Sequence, residues 1–325
     1  MPITVIIPAY NSIEYLPATL ASISEQERQP DEVLLVDDNS TDGTVEMAQK
    51  WAAAQSFPVR VLQNRLSNEG RPGPAGGRMT GLLEASGDLI ALLDHDDEML
   101  PSHLRLTEQA LLAHPGIDLC FADAIEFNHA DGRQWSLFAG KAIENSTFLE
   151  QEPEGLRILT EPLLRSLMLG SYIPTAANLW RRDAALRVGG FHPFVGTCDD
   201  VLFFLCLSRQ GKVAYYPFPI ARKRVHSGNL SNSKYSLQHC WNHLEVMLYL
   251  SGDPKRWDLS KGELIIIGDR IRELRQEILY HASCQGVAVY VKTKRQLGAA
   301  NKNDFLVGAV RAMIRSTRLM FARSD

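Results

Sequence analysis

A strand that runs into clustered carboxylates is the feature that most constrains this chain. The apolar run of residues 89–93 leads directly into Asp94, Asp96 and Asp97. Carboxylates this close together repel one another, and they lose hydration when they lie near a protein interior. A divalent cation commonly offsets that cost, because Mg²⁺ and Mn²⁺ prefer oxygen ligands. The segment therefore predicts a metal site at the end of a buried strand.

The order of elements predicts an α/β fold. Short β-branched runs at residues 3–7, 33–36, 59–62 and 89–93 predict strands. Apolar residues spaced three and four apart between these runs predict helices. Such alternation is typical of a Rossmann-like, mostly parallel sheet flanked by helices.

Polar and aromatic side chains follow three of these predicted strands. Tyr10, Asp38 and Asp94 each come just after a strand. In open parallel sheets, ligands bind outside the carboxyl ends of the strands. We therefore expect these three side chains to share one site.

The second half of the chain shows a weaker pattern. Asp131 and Gly132 predict a hairpin after a strand at residues 117–121. Further elements are predicted as a loop at 138–153, a helix near 162–168, strands at 177–180 and 213–216, a helix at 201–207 and a basic loop at 222–226. From residue 235 only helical patterns remain, including 264–279 and 305–320. We expect a domain of residues 1–234, with halves 1–120 and 121–234, and a helical C-terminal extension of residues 235–325.

Composition limits the function and the compartment. The net charge of −4 argues against nucleic acid as a partner. Five cysteines without paired short spacing are typical of a reducing compartment. We find neither a signal-peptide pattern nor an uncharged apolar run of about 18 residues. The expected location is cytoplasmic.

The C-terminal tail carries the opposite charge from the rest of the chain. From Lys292 onward there are eight basic residues and two acids, an excess of six positive charges. Apolar residues between 305 and 320 place three of the basic residues, Arg311, Arg315 and Arg318, on a predicted basic amphipathic helix. Two interpretations stay open. The helix lies on the inner face of an anionic membrane, or it packs on the catalytic domain or on a homodimer partner.

Several motifs each allow two interpretations. Arg78, after a Gly-rich segment that lacks a P-loop pattern, faces a phosphate or base, or is a surface arginine. Asp200 is a helix cap or a general base. His226 is a phosphate donor, a metal ligand or an ordinary loop histidine. Asp42 caps a helix and leaves Asp38 free to accept from a base or ribose.

The order of these motifs resembles one family. The matching segments lie between residues 3 and about 231 and read VIIPAYN from Val5, VDDNSTDGT from Val36, GPAGGR from Gly73, GDLIALLDHDD from Gly87, VGGF from Val188, Asp199-Asp200, and His226 with Asn229-Leu230-Ser231. Together they resemble the family 2 glycosyltransferases, which are inverting enzymes with a GT-A fold. The resemblance covers about 70% of the chain and leaves the region after residue 235 uncovered.

The resemblance implies a role for each matched residue. Nucleotide binding is implied for Pro8, Ala9, Tyr10, Asn11, Asp38, Arg78, Asp94 and His226. Asp94 and Asp96 would hold a divalent cation, Mn²⁺ or Mg²⁺, with Asp97 as an alternative ligand. Residues 1–120 would then be the nucleotide-binding half and residues 121–234 the acceptor half.

The reaction implied is transfer of a sugar with inversion. Asp200 would take the proton from an acceptor hydroxyl, which attacks the anomeric carbon of a nucleoside-diphosphate sugar. The expected donor is a UDP-sugar, and the acceptor a glycan or a lipid-linked glycan in polysaccharide or glycoconjugate synthesis. The alternatives are a catalytically impaired nucleotide-sugar binding protein and a nucleotidyltransferase on a similar sheet.

Two positions depart from the family pattern. The chain has Asp199 where the family usually has Glu, and Cys206 where an arginine is frequent. The first change keeps a carboxylate beside Asp200. The second removes a cation that would support the base.

Overall fold

The computed structural model describes residues 1–66, 73–145, 147–151, 153–160, 167, 173–230 and 235–299. The predicted helix near 162–168, apart from residue 167, lies outside these ranges. So do the helix at 305–320 and most of the basic tail.

The first half alternates strands and helices as predicted. Its elements are β1 Ile3–Ala9, α1 Leu16–Ser24, β2 Glu32–Asp37, α2 Thr44–Ala52, β3 Val59–Gln63, α3 Ala75–Glu84, β4 Leu89–Leu92, β5 Glu98–Met99 and α4 His103–Ala113. Strands β3, β2, β1 and β4 are neighbours in that order, and all of these pairs are parallel. The carboxyl ends of β1, β2 and β4 therefore meet at one edge, which we call the rim.

The second half continues the same sheet with mixed directions. Its elements are β6 Ile117–Asn128, β7 Gln134–Ser136, β8 Phe148–Gln151, β9 Arg157–Leu159, β10 Asn178–Arg181, α5 Arg182–Val188, α6 Asp199–Gln210, β11 Lys212–Val225, α7 Ser236–Gly252, α8 Lys261–Cys284 and α9 Val287–Ala299. The sheet order runs on from β4 through β10, β6, β11, β9 and β8. β10 is antiparallel to β4 and β6, whereas β6 and β11 are parallel. The mostly parallel arrangement thus holds for the first four strands, and the whole sheet is mixed.

Three local predictions are wrong. The basic loop at 222–226 is largely strand, because β11 continues past Pro219 through register shifts and pairs with β6 up to Val225. The loop at 138–153 contains a 3₁₀ turn and the short strand β8, which are too brief to show a period in the sequence. The Gly-rich segment before Arg78, for which the sequence predicts a loop over residues 67–77, ends earlier, since α3 begins at Ala75.

Close packing of α3 on β1 explains why this helix contains glycines. A Cβ on Gly81 would lie 2.4 Å from Cγ2 of Ile6, and one on Gly77 would lie 3.3 Å from Cβ of Pro8. Glycine at these positions lets α3 lie directly against β1. This contact places Arg78, on the first turn of α3, against the rim.

Each face of the sheet carries an apolar core. One core includes Val5 and Ile7 of β1 with side chains of α1 and α4. The other includes Ile6 and continues through α5 and α6 to Leu244 of α7 and Leu274 of α8. The C-terminal helices α7 and α8 therefore share the core of the sheet.

Within the described ranges, no single helix is both long and apolar enough to cross a membrane. The helices Arg182–Val188 and Pro193–Gln210 meet the length and composition criteria only as a pair, bent by 108°.

A buried histidine makes the stability of this fold depend on pH. Nε2 of His103 lies 3.1 Å from the Asn178 carbonyl oxygen, which can only accept, so Nε2 carries the hydrogen. Nδ1 has no partner in the described structure. Burial lowers the pKa of His103 to about 4, below the value of about 6.5 for an unfolded histidine.

We predict an acid-sensitive contribution from His103. Between these two pKa values the unfolded chain binds the extra proton, so stability falls as pH falls through that window. From about pH 8 to about pH 5 the wild type should lose about 2 kcal/mol more than His103→Gln. Urea unfolding of both proteins at the two pH values measures the difference. An equal pH dependence would contradict the assignment.

Candidate active site

All ten site residues predicted from the sequence line one cavity of about 1010 Å³. They are Pro8, Ala9, Tyr10, Asn11, Asp38, Arg78, Asp94, Asp96, Asp200 and His226. The first half of the chain supplies the eight residues from Pro8 to Asp96, at the rim. The second half supplies Asp200 and His226. The cavity therefore lies where the two halves of the sheet meet.

A buried ion-pair cluster joins these halves. Arg78 is 3% exposed, and its two terminal nitrogens lie 2.7 Å from Asp94 Oδ1 and 2.9 Å from Asp199 Oδ2. The hydroxyl of Thr175 donates to the other oxygen of Asp94 at 2.7 Å. Arg78 is thus neither a surface arginine nor free to turn toward a ligand, because its guanidinium already bridges two acids.

The cluster shifts the pKa values of its three groups. Burial alone would raise the pKa of Asp94, but the charge and hydrogen bond of Arg78 outweigh burial and lower it. Burial raises the pKa of Asp199 to about 7 against the opposing charge of Arg78. The charges of Asp199 and Asp94 raise the pKa of Arg78 in spite of its burial. One cation therefore serves two neighbouring carboxyl groups.

Asp96 is held from the loop after β11. Gly228 N–H donates to Nδ1 of His226 at 3.1 Å, so Nε2 carries the hydrogen and donates to Asp96 Oδ2 at 3.0 Å. Asn229 donates to the same oxygen at 3.1 Å. Oδ1 of Asp96 accepts no hydrogen bond from the described residues. His226 therefore lies at the acid cluster and forms a hydrogen bond with Asp96.

Asp97 lies deeper and supports the backbone. Its side chain is buried, and its Oδ1 accepts from the backbone N–H of Arg224 at 2.9 Å. Arg224 in turn donates to the Asp96 carbonyl and to Glu98. Burial, followed by the charges of Asp96 and Asp94, raises the pKa of Asp97 well above its usual range. Asp97 therefore fastens β11 beneath the two acids above it.

The part of the cavity near the ends of β1 and β2 presents an exposed aromatic ring and a carboxylate. Tyr10 is 57% exposed, and Asn11 has a left-handed backbone with φ of 46°. Asp38 follows β2 and accepts from the side chain of Asn64 at 2.8 Å. An exposed ring beside an accepting carboxylate suits a stacked base and its hydrogen-bond donors.

Asp200 enters the cavity from the first turn of α6. Its Oδ1 accepts a hydrogen bond from the backbone N–H of Val201 at 2.8 Å. Its neighbour Asp199 points away, to Arg78. Cys206, where the family often has an arginine, is buried in the apolar core. The two adjacent acids thus have different surroundings.

The oxygen donors at the rim suit a hard divalent cation. Asp38, Asp94, Asp96 and Asp200 face the cavity together, so it carries surplus negative charge even with Arg78 present. Each oxygen of Asp94 makes one hydrogen bond and keeps a lone pair, and Oδ1 of Asp96 is open to the described residues. Carboxylates of this kind, together with phosphate oxygens, fit Mg²⁺ or Mn²⁺.

Several side chains at the site were missed from the sequence. Thr175 holds Asp94, and Tyr15 packs on His226 with ring centroids 4.4 Å apart. Asp199, which the sequence shows only as the neighbour of Asp200, is the partner of Arg78. These contacts span many residues along the chain, so no local pattern signals them.

Solved structures define the class of fold. The Pyrobaculum calidifontis mannosyltransferase PcManGT, in complex with GDP-Man and Mn²⁺, superposes with a TM-score of 0.59 at 17% identity, covering 99% of this chain and 88% of its own. Staphylococcus aureus TarS 1–349 in complex with UDP-GlcNAc superposes with a TM-score of 0.60 at 19% identity, covering 86% and 71%. The predicted GT-A fold is confirmed.

Sequence comparison identifies the family. Residues 4–162 match the family described as Glycosyl transferase family 2. The Aeromonas hydrophila undecaprenyl-phosphate 4-deoxy-4-formamido-L-arabinose transferase is 31% identical over 202 residues, which are 58% of this chain and 59% of that protein. The chain spans between 46% and 66% of the length of four curated relatives. Residues 4–162 therefore belong to glycosyl transferase family 2, as the motif order predicted.

The bridge made by Arg78 predicts a large loss of stability on mutation. Arg78→Gln would leave the buried Asp199 and the partly exposed Asp94 without a cation, which should cost about 3–5 kcal/mol. Arg60 also bridges two acids, Glu32 and Glu84, but it is more exposed. Arg60→Gln should therefore cost under about 1 kcal/mol.

Unfolding free energies in urea measure both variants. A loss on Arg78→Gln no larger than that on Arg60→Gln would show that the buried bridge does not hold the halves together.

Proposed function

We propose that this protein is an inverting glycosyltransferase that moves a sugar from a nucleoside-diphosphate sugar to an acceptor hydroxyl. One observation carries the proposal. Asp94 and Asp96 on the rim and Asp200 on α6 face the same cavity from different halves of the chain. Donor binding and proton removal can therefore act on opposite sides of one anomeric carbon.

The nucleotide occupies the side of the cavity formed by the first half. The base stacks near Tyr10, between Pro8-Ala9 and Asn11, and Asp38 accepts from it. Arg78 acts here through Asp94, which it orients, rather than by direct contact with the ligand. The cavity volume of about 1010 Å³ is ample for a donor of this size.

Asp94 and Asp96 are the residues that would hold the divalent cation, Mn²⁺ or Mg²⁺. When bound, the cation neutralises charge on the diphosphate as it leaves. His226 and Asn229 fix the rotamer of Asp96, and Thr175 and Arg78 fix that of Asp94. Such outer contacts hold ligands in place before the donor arrives.

Asp200 acts as the general base. The acceptor oxygen attacks the anomeric carbon and forms the new glycosidic bond. At the same time its proton passes to Asp200, and the bond to the diphosphate breaks with its electron pair on the departing oxygen. Attack opposite the leaving group inverts the configuration, and no covalent enzyme intermediate forms.

The proposed donor and acceptor rest on the relatives and on the positive charge of the C-terminal tail. We infer a UDP-sugar as donor and a glycan or lipid-linked glycan as acceptor, in glycoconjugate synthesis. The A. hydrophila relative acts, by its name, on undecaprenyl phosphate. A lipid-linked acceptor would suit a cytoplasmic enzyme whose basic C-terminal tail contacts the inner face of a membrane; packing on the catalytic domain or homodimer formation is the alternative role for that tail.

We also propose the division of the chain into residues 1–120, which bind nucleotide, 121–234, which bind acceptor, and 235–325, a helical extension. The shared core of β1, α6, α7 and α8 supports mutual stabilisation of these parts.

The two alternative functions are less well supported. A binding protein without activity has no need of a base, yet Asp200 lies in the cavity with both rim acids. A nucleotidyltransferase would need a phosphate-binding loop followed by lysine, and the first turn of α3 instead carries Arg78, which is engaged by two acids.

The base assignment predicts a specific kinetic defect. Asp200→Asn should lower the transfer rate by about 10²- to 10⁴-fold, because proton removal is lost. Binding of nucleoside diphosphate with Mn²⁺ should change little. Asp183→Asn, at an exposed acid on α5, is the control. Near-normal transfer by Asp200→Asn would reject the role of Asp200.

The rim assignment predicts that nucleotide binding depends on metal. Calorimetric titration with UDP, and in parallel with GDP, should show binding in Mn²⁺ and at least about tenfold weaker binding after chelation. Asp96→Asn should remove this difference. Equal affinity with and without Mn²⁺ in the wild type would reject the metal role of Asp94 and Asp96. Tighter binding of GDP would reject only the choice of UDP.

A further inference from the structure

A second group of metal-ligating side chains lies beside the cavity, and two of its members, His239 and His243, line it. Cys198 ends the 3₁₀ turn Pro193–Cys198, just before α6. His239 and His243 lie one turn apart on α7, with ring centroids 4.7 Å apart. Cys198 Sγ lies 3.9 Å from Nδ1 of His239. We infer that Cys198, His239 and His243 form a zinc site distinct from the site of Asp94 and Asp96.

The spacing of the three ligand atoms supports this inference. One ligand atom from each residue lies within 4.8 Å of the other two. A tetrahedral zinc ion with one Zn–S and two Zn–N bonds holds its ligand atoms roughly 3.5 Å apart. Small rotations of the histidine side chains would bring the three ligand atoms from within 4.8 Å of one another to this spacing. The i, i+4 spacing of His239 and His243 puts both rings on one face of α7, as in helical zinc sites.

The donor types select the ion. A thiolate with two imidazoles suits zinc, whereas carboxylates and phosphate oxygens suit Mg²⁺ and Mn²⁺. The two groups on the cavity wall would therefore sort cations by chemistry. A zinc ion would prefer Cys198 with the two histidines, and the oxygen ligands of Asp94 and Asp96 would keep the harder ion.

The surroundings support a site with one open position. The Thr197 hydroxyl lies 3.4 Å from Nδ1 of His239, and Asn242 donates to that hydroxyl at 2.9 Å. Nδ1 of His239 is also the atom near Cys198 Sγ, so the Thr197 hydroxyl lies beside the proposed site rather than behind the ring. Thr197, His239 and His243 also line the cavity that holds Asp200. Three protein ligands leave a fourth position for water or an acceptor hydroxyl.

The protonation states of the two histidines fit this chemistry. Burial lowers the pKa of His239 and lowers that of His243 to about 3, so both rings are neutral and able to ligate. Burial, with the charges of Asp200 and Asp199, raises the pKa of the Cys198 thiol. Binding would therefore break the S–H bond, form the Zn–S bond and release one proton to solvent. Without metal, the same three groups would be a packed thiol and two imidazoles.

Cobalt spectroscopy tests the site directly. Co²⁺ takes the place of zinc, and a thiolate ligand gives a thiolate-to-cobalt charge-transfer absorption that carboxylates cannot give. The full chain is reduced, stripped with a chelator and titrated with Co²⁺ alone. We expect the absorption in the wild type and in Asp96→Asn. We expect it to be lost in Cys198→Ser and to be kept in Cys284→Ser, which changes the exposed cysteine.

A second variant guards against misfolding of Cys198→Ser. His243→Gln should weaken Co²⁺ binding, followed by the same absorption, by more than about tenfold. Zinc should compete the absorption away in the wild type. No charge-transfer absorption in the wild type, or an unchanged one in either Cys198→Ser or His243→Gln, would overturn the inference. Loss of the absorption in Asp96→Asn would show that the two sites are not distinct, and it would overturn the inference as well.

Discussion

The guanidinium group of Arg78 lies between Asp94, which follows β4, and Asp199, which begins α6. The side chain is almost completely buried, and each acid lies within 3 Å of one of its nitrogens. A buried charge without a partner is costly, so each of the three groups depends on the others. This bridge fixes the first turn of α6 against the rim and thereby sets the position of Asp200. The glycines of α3 matter for the same reason, because they let the helix approach β1 closely enough for Arg78 to reach both acids.

A second set of contacts organises the rest of the acid cluster. The loop after β11 brings His226 and Asn229 to Asp96, while Asp97 accepts from the backbone of β11 below. β11 and the loop after it therefore hold Asp97 and Asp96 in place through separate contacts. Residues that would bind donor and residues that would act on acceptor are held by the same long-range contacts. The cavity can exist only when both halves are folded together.

The rim could be predicted from the sequence because it depends on local patterns. A β-branched run identifies a strand, and the residue that follows, such as Tyr10, Asp38 or Asp94, must lie at its end. The parallel order of β1, β2 and β4 then brings those ends together. The same reasoning placed Asp200 at the start of a helix, and the family resemblance linked that helix to the rim.

Other features could not be predicted because their causes are distant in sequence. The partner of Arg78 is 121 residues away, so an isolated arginine gave no sign that it was buried. The strand predicted at 213–216 continues to Val225, because register shifts let β11 pass Pro217 and Pro219. The cluster of Cys198, His239 and His243 could not be predicted for the same reason. The two histidines share a helix face, whereas Cys198 joins them only through the packing of α7 on the turn before α6.

The most direct test of this account is the position of the metal and nucleotide in a crystal grown with Mn²⁺ and UDP or GDP. Anomalous scattering locates Mn²⁺ without assumptions about its ligands. The account predicts a manganese peak bound by Asp94 or Asp96 and by the diphosphate, with the base near Tyr10 and Asp38, and with Asp200 across the cavity. A nucleotide bound elsewhere, or a manganese peak away from the rim, would contradict it.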